Sequence, residues 1–158
     1  MSLESVRAFL AAYAPDLTIL EHSDSTATVS QAAAGHGVEP AQIAKTLALR
    51  TGTQVLLLVT RGDSRLDNQK AKSCFGGKVK MLASAEVTAL TGHPVGGVCP
   101  FGLSTALPVY CDVSLQAYTE VLPAAGSINS ALRISPMRLA ELAQATWVDV
   151  CAAAAVTS

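Results

Sequence analysis

The stretch Thr91-Gly92-His93-Pro94-Val95-Gly96-Gly97-Val98-Cys99-Pro100-Phe101-Gly102 holds four glycines and two prolines in twelve residues. Glycine permits positive φ and close approach of a ligand to backbone N–H groups, while proline fixes φ and removes donors. Such a loop can form a stiff concave rim whose amides bind an anion or an oxyanion. A loop of purely structural purpose has the same composition.

Lys45 follows Ile43-Ala44 and precedes an apolar run, so its ammonium is held near the core, where it either reaches water or serves a ligand anion. Asp112 closes the run Val109-Tyr110-Cys111, and Ser127, Asn129 and Ser130 follow the turn at Gly126. These polar residues can converge on one pocket, although turn chemistry explains them equally well. Cys99 with His93 is the one cysteine–histidine pair in a shared loop, and thiolate catalysis needs the base in contact with the thiol. The three histidines, His22, His36 and His93, stand in unrelated contexts. No GxSxG, GxGxxG, phosphate-loop or HExxH word occurs, and the four cysteines form no CxxC pair, so neither metal nor cofactor is expected.

The elements that must position these residues follow from periodicity. Leu3, Val6, Leu10 and Tyr13 lie on one helical face before Pro15. Leu17–Glu21 reads as a strand, and Thr28 with Gln31 as a capping box opening an alanine-rich helix that Gly35 and Gly37 stop. Ala41–Lys45 reads as a short helix behind Pro40, handing over at Lys45 to a strand Thr46–Leu49 that turns at Gly52, through three residues, into Gln54–Thr60. Further helices are expected at 67–75, at 84–90 behind a Ser84 cap, and after Ser135-Pro136. Further strands are expected at 79–82, 107–112, 119–124, 132–134 and 147–150. Short connections between several strands, too short for a right-handed crossover, predict an α+β fold with a mostly antiparallel or mixed sheet.

At 158 residues the chain fits one domain, expected over 1–151, with 152–158 as a frayed tail. Apolar runs are too short to span a bilayer, and Met1-Ser2-Leu3-Glu4 does not open a signal peptide, so a cytoplasmic protein without membrane contact is expected. The formal net charge of -1 hides an asymmetry. Arg61, Arg65, Lys70, Lys72, Lys78 and Lys80 face only Asp63 and Asp67 within residues 61–80, so phosphate attraction can be confined to one surface. A solvated helix face is the alternative reading.

In order along the chain, Thr26-Ala27, Gly37-Val38-Glu39-Pro40, Ile43-Ala44-Lys45-Thr46-Leu47, Gly62-Asp63, Val95 to Gly102, Leu107-Pro108-Val109 with Asp112, and Ala125-Gly126-Ser127 resemble the YbaK and prolyl-tRNA-synthetase-associated editing domains. The resemblance implies a curved, mixed and largely antiparallel sheet, or a barrel-like one, flanked by helices, and a free-standing aminoacyl-tRNA deacylase with a pocket for the 3'-aminoacyl-adenosine end of tRNA. DNA is not implied as a partner, and a transient prolyl-tRNA synthetase partner is admitted. It further implies Lys45 as the most characteristic functional residue and Gly96, Gly97, Val98, Cys99 and Pro100 as the GxxxP word of the aminoacyl pocket. Thr26, Phe101, Gly102, Asp112, Gly126, Ser127, Asn129 and Ser130 follow as substrate-side residues, and the basic segment as the acceptor-stem contact. The substrate implied is tRNA(Pro) carrying alanine, cysteine or a similar small residue. A synthetase pocket shaped for proline rejects smaller residues by only about 10- to 200-fold, which a second, hydrolytic sieve corrects. A binding module that no longer hydrolyses, a hydrolase using Cys99, and a structural partner of a synthetase are the competing readings.

Overall fold

A computed structural model describes residues 2–152. Residues 153–158, most of the expected tail, lie outside the described residues, while Ala152 is tied by its N–H to the Arg65 carbonyl at 2.8 Å.

Helix α1 (Ser2–Tyr13) buries Val6 and Leu10, four residues apart on one face. Tyr13, expected on that face, is 68% exposed, resting on the Phe9 ring instead. Strand β1 is only Leu20–Glu21. Helix α2 (Val29–His36) opens on the Thr28–Gln31 capping box and ends where Gly37 takes φ +68°. Gly35 lies inside the helix rather than stopping it.

The helix expected at Ala41–Lys45 is a single 3-10 turn, Pro40–Gln42, and strand β2 runs over Ile43–Thr51. The strand starts early because both edges of Ile43–Ala44 are occupied. Gly62 N–H donates to the Ile43 carbonyl at 2.7 Å on one side, and Leu122–Pro123 pairs on the other. Lys45 therefore sits within a strand, not at a helix–strand junction. Thr51 pairs with Gln54 across a two-residue Gly52-Thr53 turn, one residue tighter than expected, where Gly52 takes φ +58°. Strand β3 (Gln54–Arg61) completes this hairpin.

Helix α3 (Asn68–Phe75) is capped by the Asp67 carboxylate, and β4 (Val79–Met81) follows. Helix α4 (Ser84–Thr91) has Ala83 at its cap position, so Ser84 is the first helical residue and not the cap. Beyond the glycine loop come β5 (Val109–Asp112), β6 (Leu122–Pro123), β7 (Ser130–Ala131), α5 (Pro136–Ala143) behind its Ser135 cap, and β8 (Thr146–Val148).

The main sheet has the order β4-β2-β3-β5-β8, with β6 also pairing β2, and β1 pairs β7 separately. Pairing is antiparallel for β2–β3 and β2–β4 and parallel for β3–β5, β5–β8 and β2–β6. The fold is thus α+β with a mixed sheet, and the sheet is an open path rather than a closed barrel. Strand β3 lies in its centre and is buried on both faces, which is why Gln54–Arg61 reads as a near-continuous apolar run. Leu57 and Val59 join Val6, Leu10, Phe101, Cys111 and Leu139 in one core; Leu56 and Leu58 join Leu49, Ala71 and Val150 in a second on the opposite face.

Gly62 is buried at the end of the hairpin, and a Cβ there would stand 2.3 Å from the Pro40 carbonyl oxygen and 3.0 Å from that of Ile43. Both atoms belong to backbone that carries β2. Gly62→Ala is expected to destabilise the fold by about 1–3 kcal/mol, measured as a lowered urea midpoint with an unchanged slope.

Candidate functional site

A cleft of about 250 Å³ opens where the start of α2, the β2 edge, the start of α4 and the glycine loop meet. Its lining includes Thr26, Ala27, Lys45, Thr46, Gly96, Val98 and Ser130. Two glycines let the loop reach this position. A Cβ on Gly96, which takes φ +90°, would lie 2.6 Å from the Ala27 Cβ, and one on Gly97 would lie 2.7 Å from the Ser127 carbonyl carbon. The loop is fixed by Gly126 N–H donating to the Gly97 carbonyl at 3.0 Å and by Gly97 N–H donating to the Pro94 carbonyl at 2.8 Å. The Gly97 amide is thereby engaged, and the amides left to a ligand are those of Gly96 and Val98.

The opposite rim is built from the turn after β6. Thr26 N–H and Oγ1 both donate to the Ile128 carbonyl, at 2.5 and 3.2 Å, and Asn129 Nδ2 donates to the His22 carbonyl at 2.7 Å. Ser127 Oγ lies 2.9 Å from Asn129 Oδ1 and 2.6 Å from Ser130 Oγ. Since the amide oxygen only accepts, the Ser127 hydroxyl donates to it and accepts from Ser130. Ser130 borders the cleft, while Gly126, Ser127 and Asn129 support the rim from behind.

Lys45 lies on the strand face of Leu47 and Leu49, alternate to Ala44, Thr46 and Ala48, which border the cleft. Its Nζ donates to the Ser64 carbonyl at 2.6 Å, beside the Gly62-Asp63 bend. Burial pushes the Lys45 pKa below the usual lysine range; Cys151 and Asp63 pull it back up, and Arg65 adds to the depression.

Five other predicted residues lie off the cleft lining. Cys99 and Phe101 are core residues, Pro100 is buried between them, and Gly102 packs on the α1 backbone at Ser5. Asp112 is also buried away from it: Oδ1 accepts from Val150 N–H at 2.8 Å and Oδ2 from Ser114 N–H at 2.9 Å. Burial alone raises the Asp112 pKa, but hydrogen bonds from Ser114 and Val150 bring it below the ordinary value. The carboxylate clamps β5 to the segment after β8.

Cys99 and His93 do touch, at 3.8 Å from Sγ to Nε2. His93 Nε2 lies 2.7 Å from the Phe101 carbonyl, an acceptor only, so Nε2 carries the hydrogen and cannot take the thiol proton. Both residues are fully buried, and burial pushes the Cys99 thiol up to about 12. A thiolate nucleophile at Cys99 is therefore excluded by this geometry. His22 and His36, read as unrelated from sequence, are hydrogen-bonded at 2.8 Å, and His36 borders the cleft. Burial, then His22 and Arg133, keep the His36 pKa below the usual histidine value.

The six basic residues do not form one patch. Arg61 pairs with Asp63 at 2.5 Å and Lys70 with Asp149 at 3.2 Å, whereas Arg65, Lys72, Lys78 and Lys80 make no ion pair among the described residues. Lys70 and Lys72 ride on α3, whose Ala71 packs on the Leu49–Leu56–Leu58 face. Lys80 pairs in register with Arg50, which shares the cleft face with Thr46 and Ala48, so Lys80 stands on the cleft side. Arg50 is itself engaged by Glu86.

Thr46 and His36 are among the cleft residues that sequence reasoning missed. The available signal for Thr46 was the alternation of small Ala44, Thr46 and Ala48 with large Leu47 and Leu49, which marks one face of β2 as hollow. Nothing in sequence joins His36 to His22. No group of three or more His, Cys, Asp or Glu among the described residues could hold a metal ion, and none of their helices is long and apolar enough to cross a membrane.

A family model described as an aminoacyl-tRNA editing domain matches residues 23–142. The uncharacterised protein YwhH of Bacillus subtilis is 46% identical over 153 residues, covering 96% of this chain and 98% of that one. A protein of Enterococcus faecalis named as a candidate Cys-tRNA(Pro)/Cys-tRNA(Cys) deacylase, EbsC, is 28% identical over 116 residues, 72% of this chain and 71% of that one. A crystal structure described as a candidate trans-editing enzyme for prolyl tRNA synthetase superposes with a TM-score of 0.89 at 34% identity, covering 96% of this chain and 98% of that one.

The burial of the thiols predicts their reactivity. Cys74 is exposed, while burial pushes Cys99, Cys111 and Cys151 up to about 12. Iodoacetamide at pH 8 should add one label to the folded protein, at Cys74, and four after unfolding, read by intact mass and peptide mapping.

Proposed function

This chain belongs to the aminoacyl-tRNA editing domain family, and on that premise we propose that it is a trans-editing deacylase that hydrolyses tRNA(Pro) esterified with a small, wrong amino acid. The observation that carries the reading is the pair of amides at Gly96 and Val98 on the rim of a cleft lined mainly by small and apolar residues, Ala27, Ala44 and Ala48 among them. Amides fixed in this way by the loop are suited to an ester carbonyl and to the oxyanion it becomes.

In this reading water attacks the ester carbonyl carbon, the bond from that carbon to the terminal ribose oxygen breaks, and the ribose oxygen takes a proton. The products are the free amino acid and uncharged tRNA. No carboxylate among the described residues lines the cleft, so orientation of the water falls to the neighbouring ribose hydroxyl of the substrate, and proximity supplies much of the rate. Lys45 exchanges the Ser64 carbonyl for the terminal phosphate or ribose when the acceptor end enters. Lys80 attracts the acceptor stem from the cleft side, with Lys78 beside it in sequence, and a prolyl-tRNA synthetase hands over the mischarged product transiently.

Deacylation of tRNA(Pro) charged with alanine, cysteine, serine or proline tests this. Wild-type protein should clear at least one mischarged species and spare Pro-tRNA, and Lys45→Ala should slow the rate by at least about 100-fold with an unchanged melting temperature. Sparing of the whole panel by folded protein would remove the proposal.

Salt dependence separates the two basic surfaces. Lys78→Glu with Lys80→Glu should lower the slope of log affinity for tRNA against log salt by about one per lost phosphate contact. Lys72→Glu, on the opposite face, should leave that slope unchanged.

A further inference from the structure

The β2 strand is interrupted along one edge. Strand β6 pairs it at Ile43 and Ala44, and β4 pairs it from Leu49 to Thr51, with Leu82 N–H reaching the Ala48 carbonyl at 3.0 Å. Among the described residues no strand covers the same edge at Thr46. Peptide groups along a strand point alternately to its two edges. Because the Ala48 carbonyl faces β4 and the Ile43 carbonyl faces β3 through Gly62, the N–H and C=O of Thr46 face the gap. The Thr46 side chain stands on the cleft face with Ala44 and Ala48, and its Oγ1 is buried without a hydrogen-bond partner. His36 Nε2, bordering the same cleft, is likewise buried and unpartnered.

A buried hydroxyl without a partner is costly, and a protein retains one where a ligand supplies the missing bond. The α-ammonium of an aminoacyl ester is common to every substrate and is suited to the Thr46 carbonyl at the strand edge. The hydroxyl lies on the other axis, across the strand face, among the apolar lining of Ala44, Ala48, Val87 and Val98. We propose that Thr46 is a specificity-determining residue of the cleft and that the aminoacyl group it selects is small and carries a side-chain hydroxyl. An alanyl group leaves Oγ1 unsatisfied, and a cysteinyl thiol is only a weak donor and acceptor. This inference rests on the editing reading for its substrate class.

Binding tests it without requiring turnover. The probes are the stable amides 3'-deoxy-3'-(L-seryl)amino-adenosine and its L-alanyl counterpart, titrated calorimetrically into the full chain. The wild type should bind the seryl probe at least about tenfold tighter. Thr46→Val should bring that ratio to about one without lowering the melting temperature, and Thr46→Ser should preserve it. Equal affinity for the two probes, binding of neither, or an unchanged ratio in Thr46→Val overturns the inference. Should Thr46→Val fail to fold, the wild-type ratio decides. A seryl preference in a protein that hydrolyses no ester supports the assignment of Thr46 and defeats the deacylase reading alone.

Discussion

Gly96 and Gly97 have no Cβ, and because of this the loop after α4 touches two other chain segments at once. On one side it lies against Ala27, on the other against the Ser127 backbone. Any larger residue at either position must push a backbone segment aside, so the rim of the cleft, the entry to α2 and the turn after β6 are placed by one contact. Hydrogen bonds then lock it: Gly97 to Gly126, Thr26 to Ile128, Asn129 to His22. Three stretches distant in sequence form one wall, and the amides it presents are held without the help of a ligand.

Strand β2 supplies the floor through a different device. It is paired along its whole length by β3, but on its other edge two partners hold only its ends. The interval between them is where a substrate can meet strand backbone, which a fully paired sheet would deny. The same interval has small side chains on the cleft face and large ones behind, so the strand that closes one core opens the site on its other side. Stability and access are reconciled by β2 being paired along one edge and left open on the other at Thr46.

Electrostatics divides the polar residues between two tasks. Asp112 and His93 are buried and satisfy backbone groups, Asp112 ionised through the amides it accepts and His93 kept neutral by burial. They hold β5, the segment after β8 and the glycine loop together. Lys45 is the exception, since burial costs its charge, and Cys151, Asp63 and the Ser64 carbonyl only partly offset that cost. A lysine in this state gains by meeting a phosphate. The three buried thiols, including the one beside a histidine, are kept as neutral packing groups.

Much was legible in the sequence because it is local. The capping box at Thr28 and Gln31, the helix opening at Ser135-Pro136 and the glycine loop are fixed by contacts within a few residues and are found where the residues indicate, and the hairpin at Gly52 is found with a turn one residue tighter. The family was legible for the same reason, as an ordered set of short words. Pairing between distant strands was not. The start of β2 at Ile43 depends on Gly62 and Leu122, and the parallel partners of β3 and β5 come from far along the chain. The site divides in the same way. Gly96, Val98, Lys45 and Ser130 are local signals that tertiary structure brought to one cleft, whereas the engagement of the Gly97 amide, the contact of His22 with His36 and the burial of Cys99 are decided across it. Sequence determined which residues had the chemistry. The tertiary structure decided which of them keep a free donor or acceptor facing the cleft, because hydrogen bonds and desolvation are set by neighbours that the chain brings together only on folding.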